Sequence, residues 1–188
     1  MNVNLFRSPR IQLNALKPDD AEAFSRWRED GQYLRNLDTD YAITRSADYN
    51  RAEIESLSTQ NNTIELGIRL LSDNRLIGFI SLNSIEWNNK SGRLAVGIGE
   101  AHYRHIGLGT EAMQLIIQYA FNELNLNRIG LDVIGNNISA IRCYEKSGFV
   151  IEGTIREGVI RDGQILDRIY MGLLRSEWET NQNQIKTS

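Results

Sequence analysis

The 188-residue sequence contains a single cysteine, Cys143, and only two histidines, His102 and His105. One cysteine cannot form an intramolecular disulfide, and this set excludes any metal site built from several cysteines. Two histidines are too few for most zinc chemistry, so we expect no bound metal. The two prolines, Pro9 and Pro18, are outnumbered by fifteen glycines, which makes the glycine positions the more informative ones.

The chain also lacks a long apolar run and an excess of positive charge. No segment approaches the roughly 18 apolar residues of a membrane helix, and residues 1–17 have no apolar core of a secretory signal. The formal net charge is -3, whereas a general nucleic-acid-binding domain usually carries a basic excess. We therefore expect a cytoplasmic globular protein that binds neither nucleic acid nor a membrane.

Hydrophobic periodicity predicts a strand-rich chain interrupted by helices. Apolar and polar residues alternate in seven segments, which predicts strands at 10–16, 64–70, 76–82, 93–98, 129–134, 149–155 and 168–174. Helical spacing predicts helices at 21–29, 46–57, 110–124 and 138–147. This order predicts a mixed α/β (α+β) fold, in which a mostly antiparallel sheet of about seven strands is flanked by about four helices.

No linker or composition shift divides the chain, which predicts a single domain over residues 1–178. Residues 179–188 are almost all polar, so we expect them to form a frayed tail. The apolar run 169–174 lies in the last predicted strand. If that strand forms an exposed edge, two copies of the chain can pair through it as a homodimer.

The most informative segment is GIGEAHYRHIGLGTEA, residues 97–112, between a predicted strand and the longest predicted helix. Gly107 and Gly109 leave backbone N–H groups uncovered at the helix start, where the helix dipole adds about half a positive charge. A pyrophosphate fits such a site, with Arg104 available as a cation. A tight turn without a ligand is the alternative. The segment is not a Rossmann fingerprint, because Ala112 stands at the third glycine position, and it lacks the Gly-Lys-Ser/Thr of a P-loop.

A second pattern follows the strand predicted at 129–134. Asn137 and Tyr144 are seven positions apart, which places them on one helix face about 10 Å apart along the axis. Without the rest of the pattern, the alternative for Asn137 is a helix N-cap, and the alternative for Tyr144 is a core aromatic residue. Gly148 is a helix C-cap in either case.

Together, R-x-x-G-x-G and N-x-x-x-x-x-x-Y-x-x-x-G-F resemble the GNAT N-acetyltransferase superfamily, over roughly residues 10–178. The half that contains YEKSGF resembles the ribosomal-protein alanine acetyltransferases and the bacterial spermidine acetyltransferases. The resemblance implies that acetyl-CoA is the co-substrate and that its arm lies between two splayed strands, 93–98 and 129–134. It implies contacts with the cofactor from Ile98, Gly99, Arg104, His105, Ile106, Gly107, Leu108, Gly109, Thr110 and Asn137. The sequence departs from the common pattern at residues 99–101, where many members have a proline.

The resemblance further implies that Tyr144 protonates the leaving thiolate. Backbone N–H groups at the end of the strand 94–98 are candidates for binding the oxyanion. No acyl-enzyme is needed for direct transfer. Cys143 is turned about 100° from Tyr144 on the helix, and we interpret it as a small buried residue rather than a nucleophile.

A base is also required, because an alkylammonium has a pKa of about 10 and must lose a proton before it attacks. The candidate carboxylates are Glu65, Glu86, Glu100 and Asp132, and the alternative for each is a solvated surface group. We favour Glu86, which precedes Trp87 just after a predicted strand, where a substrate pocket would open.

The acceptor is left open between a protein N-terminus, a polyamine and another small amine. Segment 27–41 interleaves carboxylates with aromatic rings, which suits a polycation, a peptide N-terminus or a plain solvated loop. The alternative to an enzyme is a non-catalytic module that binds acetyl-CoA or CoA, with the same loop but no productive amine pocket.

Overall fold

The computed structural model describes residues 4–186, which form one seven-stranded sheet and six α-helices. The strands are β1 (Ile11–Ala15), β2 (Ile64–Leu70), β3 (Leu76–Glu86), β4 (Ser91–Ile98), β5 (Arg128–Ile134), β6 (Val150–Arg161) and β7 (Gln164–Leu174). The helices are α1 (Ala21–Trp27), α2 (Gly31–Leu37), α3 (Ala47–Ser56), α4 (Leu108–Asn122), α5 (Ile138–Lys146) and α6 (Arg175–Lys186). The mixed fold expected from the sequence is confirmed. Within this described part of the chain, no helix has the length and apolar character needed to span a membrane.

The sheet order is β1-β2-β3-β4-β5-β7-β6, and β4 and β5 are its one parallel pair. These two strands pair only where Ser91–Arg93 face Arg128–Gly130, and they separate beyond that point. Helix α4 lies between them in the chain as the crossover that a parallel pair requires. A gap therefore opens in the middle of the sheet between residues 94–98 and 131–134.

Two hydrophobic clusters occupy the two faces of the sheet. The larger one contains the buried side of α4 together with Leu94 of β4. The smaller one is formed by Phe24, Trp27, Tyr33 and Leu76, beneath α1 and α2. Because side chains alternate along a strand, the neighbours of Leu94 on β4 point to the side of α1, α2 and α3. This side of the sheet is called the α1–α3 face below.

Helix α2 was not predicted, because Gly31 was interpreted as the end of the preceding helix. Gly31 instead begins α2. The Asp30 side chain caps this helix by accepting hydrogen bonds from the backbone N–H groups of Gln32 and Tyr33, at 3.0 and 3.1 Å. This cap is what brings Tyr33 into the smaller cluster.

The prediction of a frayed tail at residues 179–188 is wrong for residues 179–186, because α6 runs from Arg175 to Lys186. The ring of Trp178 lies 5.5 Å from that of Phe121 and packs the start of α6 onto the larger cluster. Residues 187–188 of the predicted tail lie outside the described residues.

The hairpin of β6 and β7 is longer than the two strands predicted for it. It turns at Asp162 and Gly163, both with positive φ, as two-residue hairpin loops require. Strand β7 lies between β5 and β6, so the expectation that the final strand forms the exposed edge is wrong. The edge on this side of the sheet is β6.

Candidate active site

The gap between β4 and β5 contains a cavity of about 240 Å³. Residues 94–96 line it from β4 and residues 132–134 line it from β5. Tyr144 reaches this cavity from α5 and is only 8% exposed. Burial raises the pKa of the Tyr144 hydroxyl above its ordinary value of about 10, and the neighbouring Cys143 and Asp132 raise it further. The phenol therefore keeps its proton at physiological pH and can donate it to a group in the gap.

The glycine-rich loop leads directly into α4, which starts at Leu108, two residues earlier than predicted. Gly107 caps the helix with a φ of 88°, a conformation that side chains disfavour. The N–H groups of Leu108, Gly109 and Thr110 lie in the first turn, where a helix supplies no acceptors of its own. They remain available to an anion.

The space above Gly109 is not filled by the protein. A Cβ atom built there would approach Cys143 Sγ and Ile98 Cγ1 no closer than 3.9 Å, which is ordinary contact. The packing of the chain therefore does not require glycine at this position. A ligand that lies close against the helix start does require glycine at this position, so this loop fits a phosphate-bearing cofactor.

Arg104 is turned away from that loop. Its guanidinium donates to the carbonyl oxygens of Ile98 and Gly99, at 2.9 and 2.6 Å, and to the Asp30 carboxylate at 2.7 Å. It also lies over the Tyr33 ring, 5.0 Å from its centre. The hydrogen bond from Arg104 lowers the pKa of Asp30. The geometry thus gives Arg104 a role in joining β4 to α2 and does not support the predicted role as a phosphate cation.

The cation at the loop is Arg10, which sequence reasoning missed. Its side chain donates to the carbonyl oxygen of Ile106 at 2.9 Å and pairs with Glu111 at 2.5 Å. Arg10 Nη2 lies 3.2 Å from the position that a Cβ atom of Gly107 would take. No local signal reveals this contact, because 96 positions separate Arg10 from Ile106.

The other predicted loop residues differ in what they can offer a ligand. Leu108 is 2% exposed and offers only its backbone N–H, whereas Ile106 is exposed. His105 Nδ1 lies 3.1 Å from the Ser139 hydroxyl. At Gly99 a Cβ atom would fall 1.9 Å from the ring of Trp27, so that glycine is required by packing.

Asn137 and Cys143 both take the structural roles that were open alternatives. The Asn137 side chain caps α5 by accepting from the N–H of Ala140 at 3.2 Å, and it donates to the carbonyl oxygen of Asn36 at 3.3 Å. Cys143 is half-buried, and its sulfur lies 3.4 Å from the Thr110 hydroxyl. Burial raises the pKa of the Cys143 thiol, which therefore stays protonated and is a poor nucleophile.

Three of the four candidate bases are unsuited by position or by partners. Glu86 is exposed at the end of β3, accepts from Asn89 Nδ2 at 2.5 Å and does not line the cavity of Tyr144. The oxygens of Asp132 accept hydrogen bonds from two guanidinium groups, those of Arg93 and Arg168. Asp132 therefore faces the gap as a paired anion.

Glu100 is the third of them. Its carboxylate accepts a hydrogen bond from Trp27 Nε1 at 2.9 Å and another from Arg26. Burial alone would raise its pKa, but these hydrogen bonds hold the pKa of Glu100 below its ordinary value. Such a group is a weak base.

Glu65 is placed differently. It lines a second cavity, of about 370 Å³, on the α1–α3 face. In the strand register, Glu65 of β2 lies opposite Ser81 of β3, and Ser81 lies opposite Ala95 of β4. Four residues line both this cavity and that of Tyr144, so the two cavities are adjacent along the sheet: Leu37, Asp38, Asn83 and Ala95.

The acidic and aromatic segment 27–41 is used partly inside the protein. Trp27 and Tyr33 belong to the smaller hydrophobic cluster, and Asp30 caps α2. Asp40 and Tyr41 remain exposed. The segment therefore supports the α1–α3 face more than it presents a continuous surface for a polycation.

Comparison with known proteins agrees with this geometry. Residues 10–150 match the family model described as an acetyltransferase (GNAT) domain. The chain is 31% identical to the "Putative ribosomal N-acetyltransferase YdaF" of Bacillus subtilis, with 90% of this chain and 93% of that protein covered. It is 28% identical to the N-acetyltransferase YokL of the SPbeta prophage in the same organism, over 96% of this chain and 99% of that one.

A solved structure has the same fold. The spermidine N-acetyltransferase from Vibrio cholerae, in complex with CoA and spermine, superposes with a TM-score of 0.83 at 22% identity, over 92% of this chain and 99% of that one. The splayed strands, the open helix start and the matching family model agree with one another. The chain belongs to the GNAT acetyltransferase family, whose members use acetyl-CoA.

Proposed function

We propose that this acetyltransferase moves an acetyl group from acetyl-CoA directly to a primary amine. The observation that carries the proposal is the position of Tyr144, a proton-bearing side chain in the gap between β4 and β5. The second cavity, which shares four lining residues with this gap, gives an amine its own approach to the same place. Direct transfer needs no nucleophile from the protein, in keeping with the protonated Cys143.

The residues present fit acetyl-CoA. The first-turn N–H groups of α4, the open space at Gly109 and the cation Arg10 would hold its phosphates. When bound, acetyl-CoA supplies the acetyl group as a thioester whose sulfur leaves as a thiolate. Tyr144 is the group that gives this sulfur a proton.

The exposed backbone of β4 has a part in the same reaction. Beyond Arg93, β4 no longer pairs with β5, so the N–H groups that point into the gap have no strand partner there. Such N–H groups stabilise negative charge that develops on the thioester oxygen. The proposal therefore gives the oxyanion role to N–H groups of the segment 94–98, which the sequence offers as candidates.

Measuring release of free CoA with a panel of amines tests the proposal. The panel contains polyamines, ribosomal-protein N-terminal peptides and aminoglycosides, and thiol release is followed with and without each amine. We expect at least one amine to accelerate release well above the rate of hydrolysis. Tight binding of acetyl-CoA without any amine-dependent release would indicate the non-catalytic binding module instead.

We also propose that the protein forms a homodimer through the β6 edge. An open edge strand with exposed apolar side chains favours pairing with another copy. Such side chains lie along the β6 and β7 hairpin: Val150, Ile151, Ile155, Ile160 and Ile165. Light scattering should give twice the 21.5 kDa chain mass, and Ile155→Lys should reduce the mass to that of one chain. A monomer at micromolar concentration would contradict the proposal.

A further inference from the structure

The cavity on the α1–α3 face has the composition of a pocket for an amine with an apolar body. Aromatic rings of Phe24, Trp27, Tyr33 and Phe79 form part of its wall. Its volume of about 370 Å³ suits a small molecule or the end of a longer one. The walls come from α1, α2 and α3 on one side and from strands β2 to β4 on the other.

Glu65 is a half-buried carboxylate inside this pocket, and it forms no ion pair within the described residues. Three more charged groups line the pocket: Arg28 and Glu53, which pair with each other at 3.8 Å, and the exposed Asp38. Tyr33 also faces the pocket, and burial raises the pKa of its hydroxyl, so that it stays neutral. Burial and the nearby negative charge of Glu53 raise the pKa of Glu65 to about 7. A hydrogen bond from Ser81 and the positive charge of Arg28 lower this pKa, but by less.

The strand register relates Glu65 to the reaction site. Glu65 lies opposite Ser81, which lies opposite Ala95, so two strand spacings of about 4.8 Å separate Glu65 from β4. That distance of about 10 Å is spanned by an acceptor amine and one or two water molecules. The register and the four shared lining residues place Glu65 beside the route by which a proton can leave the gap.

Asn50 contributes a second polar feature to the same pocket. This α3 residue lines the cavity and is 2% exposed, and neither its Oδ1 nor its Nδ2 has a hydrogen-bond partner in the described residues. A buried carboxamide without partners destabilises the folded protein. It offers one acceptor and one pair of donors, which complement a second amide, whereas a polyamine supplies donors only.

Resting on the proposed function, we propose that Glu65 receives the proton that the acceptor ammonium must lose, and that Asn50 favours an acceptor bearing an amide beside its amine. In this step an N–H bond of the ammonium breaks and an O–H bond forms on the Glu65 carboxylate, which later releases the proton to solvent. The neutral amine then forms the N–C bond while the C–S bond breaks. The second proton leaves the nitrogen and replaces the one that Tyr144 gives to sulfur, so the tyrosine is neutral again.

The first test compares kcat/KM of wild type and Glu65→Gln from pH 5.5 to pH 8.5, with the best amine from the panel. The ratio of the two values cancels the ionisation of the amine itself. We expect kcat/KM of wild type to exceed that of Glu65→Gln about tenfold at pH 8 and less than about twofold at pH 5.5. The midpoint of this change should lie near pH 7, because only ionised Glu65 accepts a proton. A ratio independent of pH would overturn the role of Glu65.

Two control variants and one stability measurement sharpen this test. Glu86→Gln examines the base favoured from sequence, and a pH-dependent ratio for that variant would assign the proton to Glu86 and overturn the proposal. Glu55→Gln changes an exposed carboxylate on the outside of α3 and should leave the ratio at one. Because the pKa of Glu65 lies above its unfolded value of 4.5, its ionisation weakens the fold as pH rises from 4.5 through 7. Glu65→Gln should therefore raise Tm at pH 8 and leave it unchanged at pH 4.5.

The second test uses Asn50→Leu, which keeps the size of the side chain and removes its polar atoms. Its probes are alaninamide, sec-butylamine, which has a similar body without the amide, and spermidine. We expect wild type to prefer alaninamide to spermidine, and we expect the variant to lose about tenfold in kcat/KM for alaninamide alone. The variant should also melt about 2–4 °C higher, since an unpaired buried amide is gone. Unchanged selectivity, or a wild-type preference for spermidine, would overturn the role of Asn50.

The two tests separate this proposal from the proposed function. If wild type releases CoA with none of the amines, the transfer reaction itself is absent. If it does release CoA, and Glu65→Gln and Asn50→Leu behave like wild type, the reaction stands and this pocket is not where the acceptor binds.

Discussion

Replacing Tyr144 with phenylalanine is expected to lower the rate of acetyl transfer about a hundredfold, and at least tenfold, because a positioned general acid contributes on that scale. The change removes one oxygen from a ring that is 8% exposed and packs 6.3 Å from Phe149. The ring itself remains in place, so the affinity for acetyl-CoA should stay near that of wild type. Single-turnover rates are the decisive measurement, since slow product release can hide a change in chemistry.

Tyr119→Phe is the matched control. Tyr119 lies on α4, packs against Phe6 with ring centres 5.0 Å apart and lines neither cavity. Burial raises the pKa of its hydroxyl too, so the two variants remove similar groups from different places. A single-turnover rate for Tyr144→Phe equal to that of the control would remove Tyr144 from the acid role.

The parts of this site that the sequence predicts are those that local pattern controls. The period of two in β4 and β5, and the helical period between them, are visible because burial of one face selects apolar residues at fixed spacing. The gap between β4 and β5 is not visible in this periodicity, and only the family resemblance implies it. Gly107 was found because a backbone conformation with a φ of 88° needs glycine at one position in the chain.

The parts that sequence reasoning missed depend on contacts between distant segments. Arg104 meets Asp30, 74 residues away, and this contact turns its charge away from the glycine-rich loop. Glu65 and Glu86 both lie in strands, and only the register through Ser81 shows that Glu65 shares a face with Ala95. These strands follow one another in the chain, but the alternating pattern alone does not fix the register between them, which the connecting turns and the register shifts at residues 68–69 and 83–86 set.

Two of the missed elements did have a local signal. Asp30 before Gly31 is an N-cap residue at a helix start, but the glycine was taken as a stop. Asp162-Gly163 is a typical two-residue hairpin turn, and it predicts the long β6 and β7 pair. In each case the same residue type is compatible with two structures, and the tertiary packing decides between them.

Gly109→Ala is expected to affect stability and cofactor binding in opposite directions. Within α4, alanine is better than glycine by about 0.5–1 kcal/mol, and a Cβ atom meets nothing closer than 3.9 Å. The free protein should therefore become more stable. The added methyl group occupies the space in which we place the pyrophosphate, and the Kd for acetyl-CoA should rise at least thirtyfold, about 2 kcal/mol of binding free energy.

Calorimetric titration with acetyl-CoA and thermal melting without it measure the two effects separately. Gly31→Ala is the control, because Gly31 also lies in the first turn of a helix with nothing within 4 Å of a built Cβ atom. It should leave the Kd unchanged. If Gly109→Ala binds acetyl-CoA like the control, the phosphates do not lie against the start of α4. If instead it loses both stability and affinity, the glycine serves the fold, and the open space at this helix start has no part in recognition.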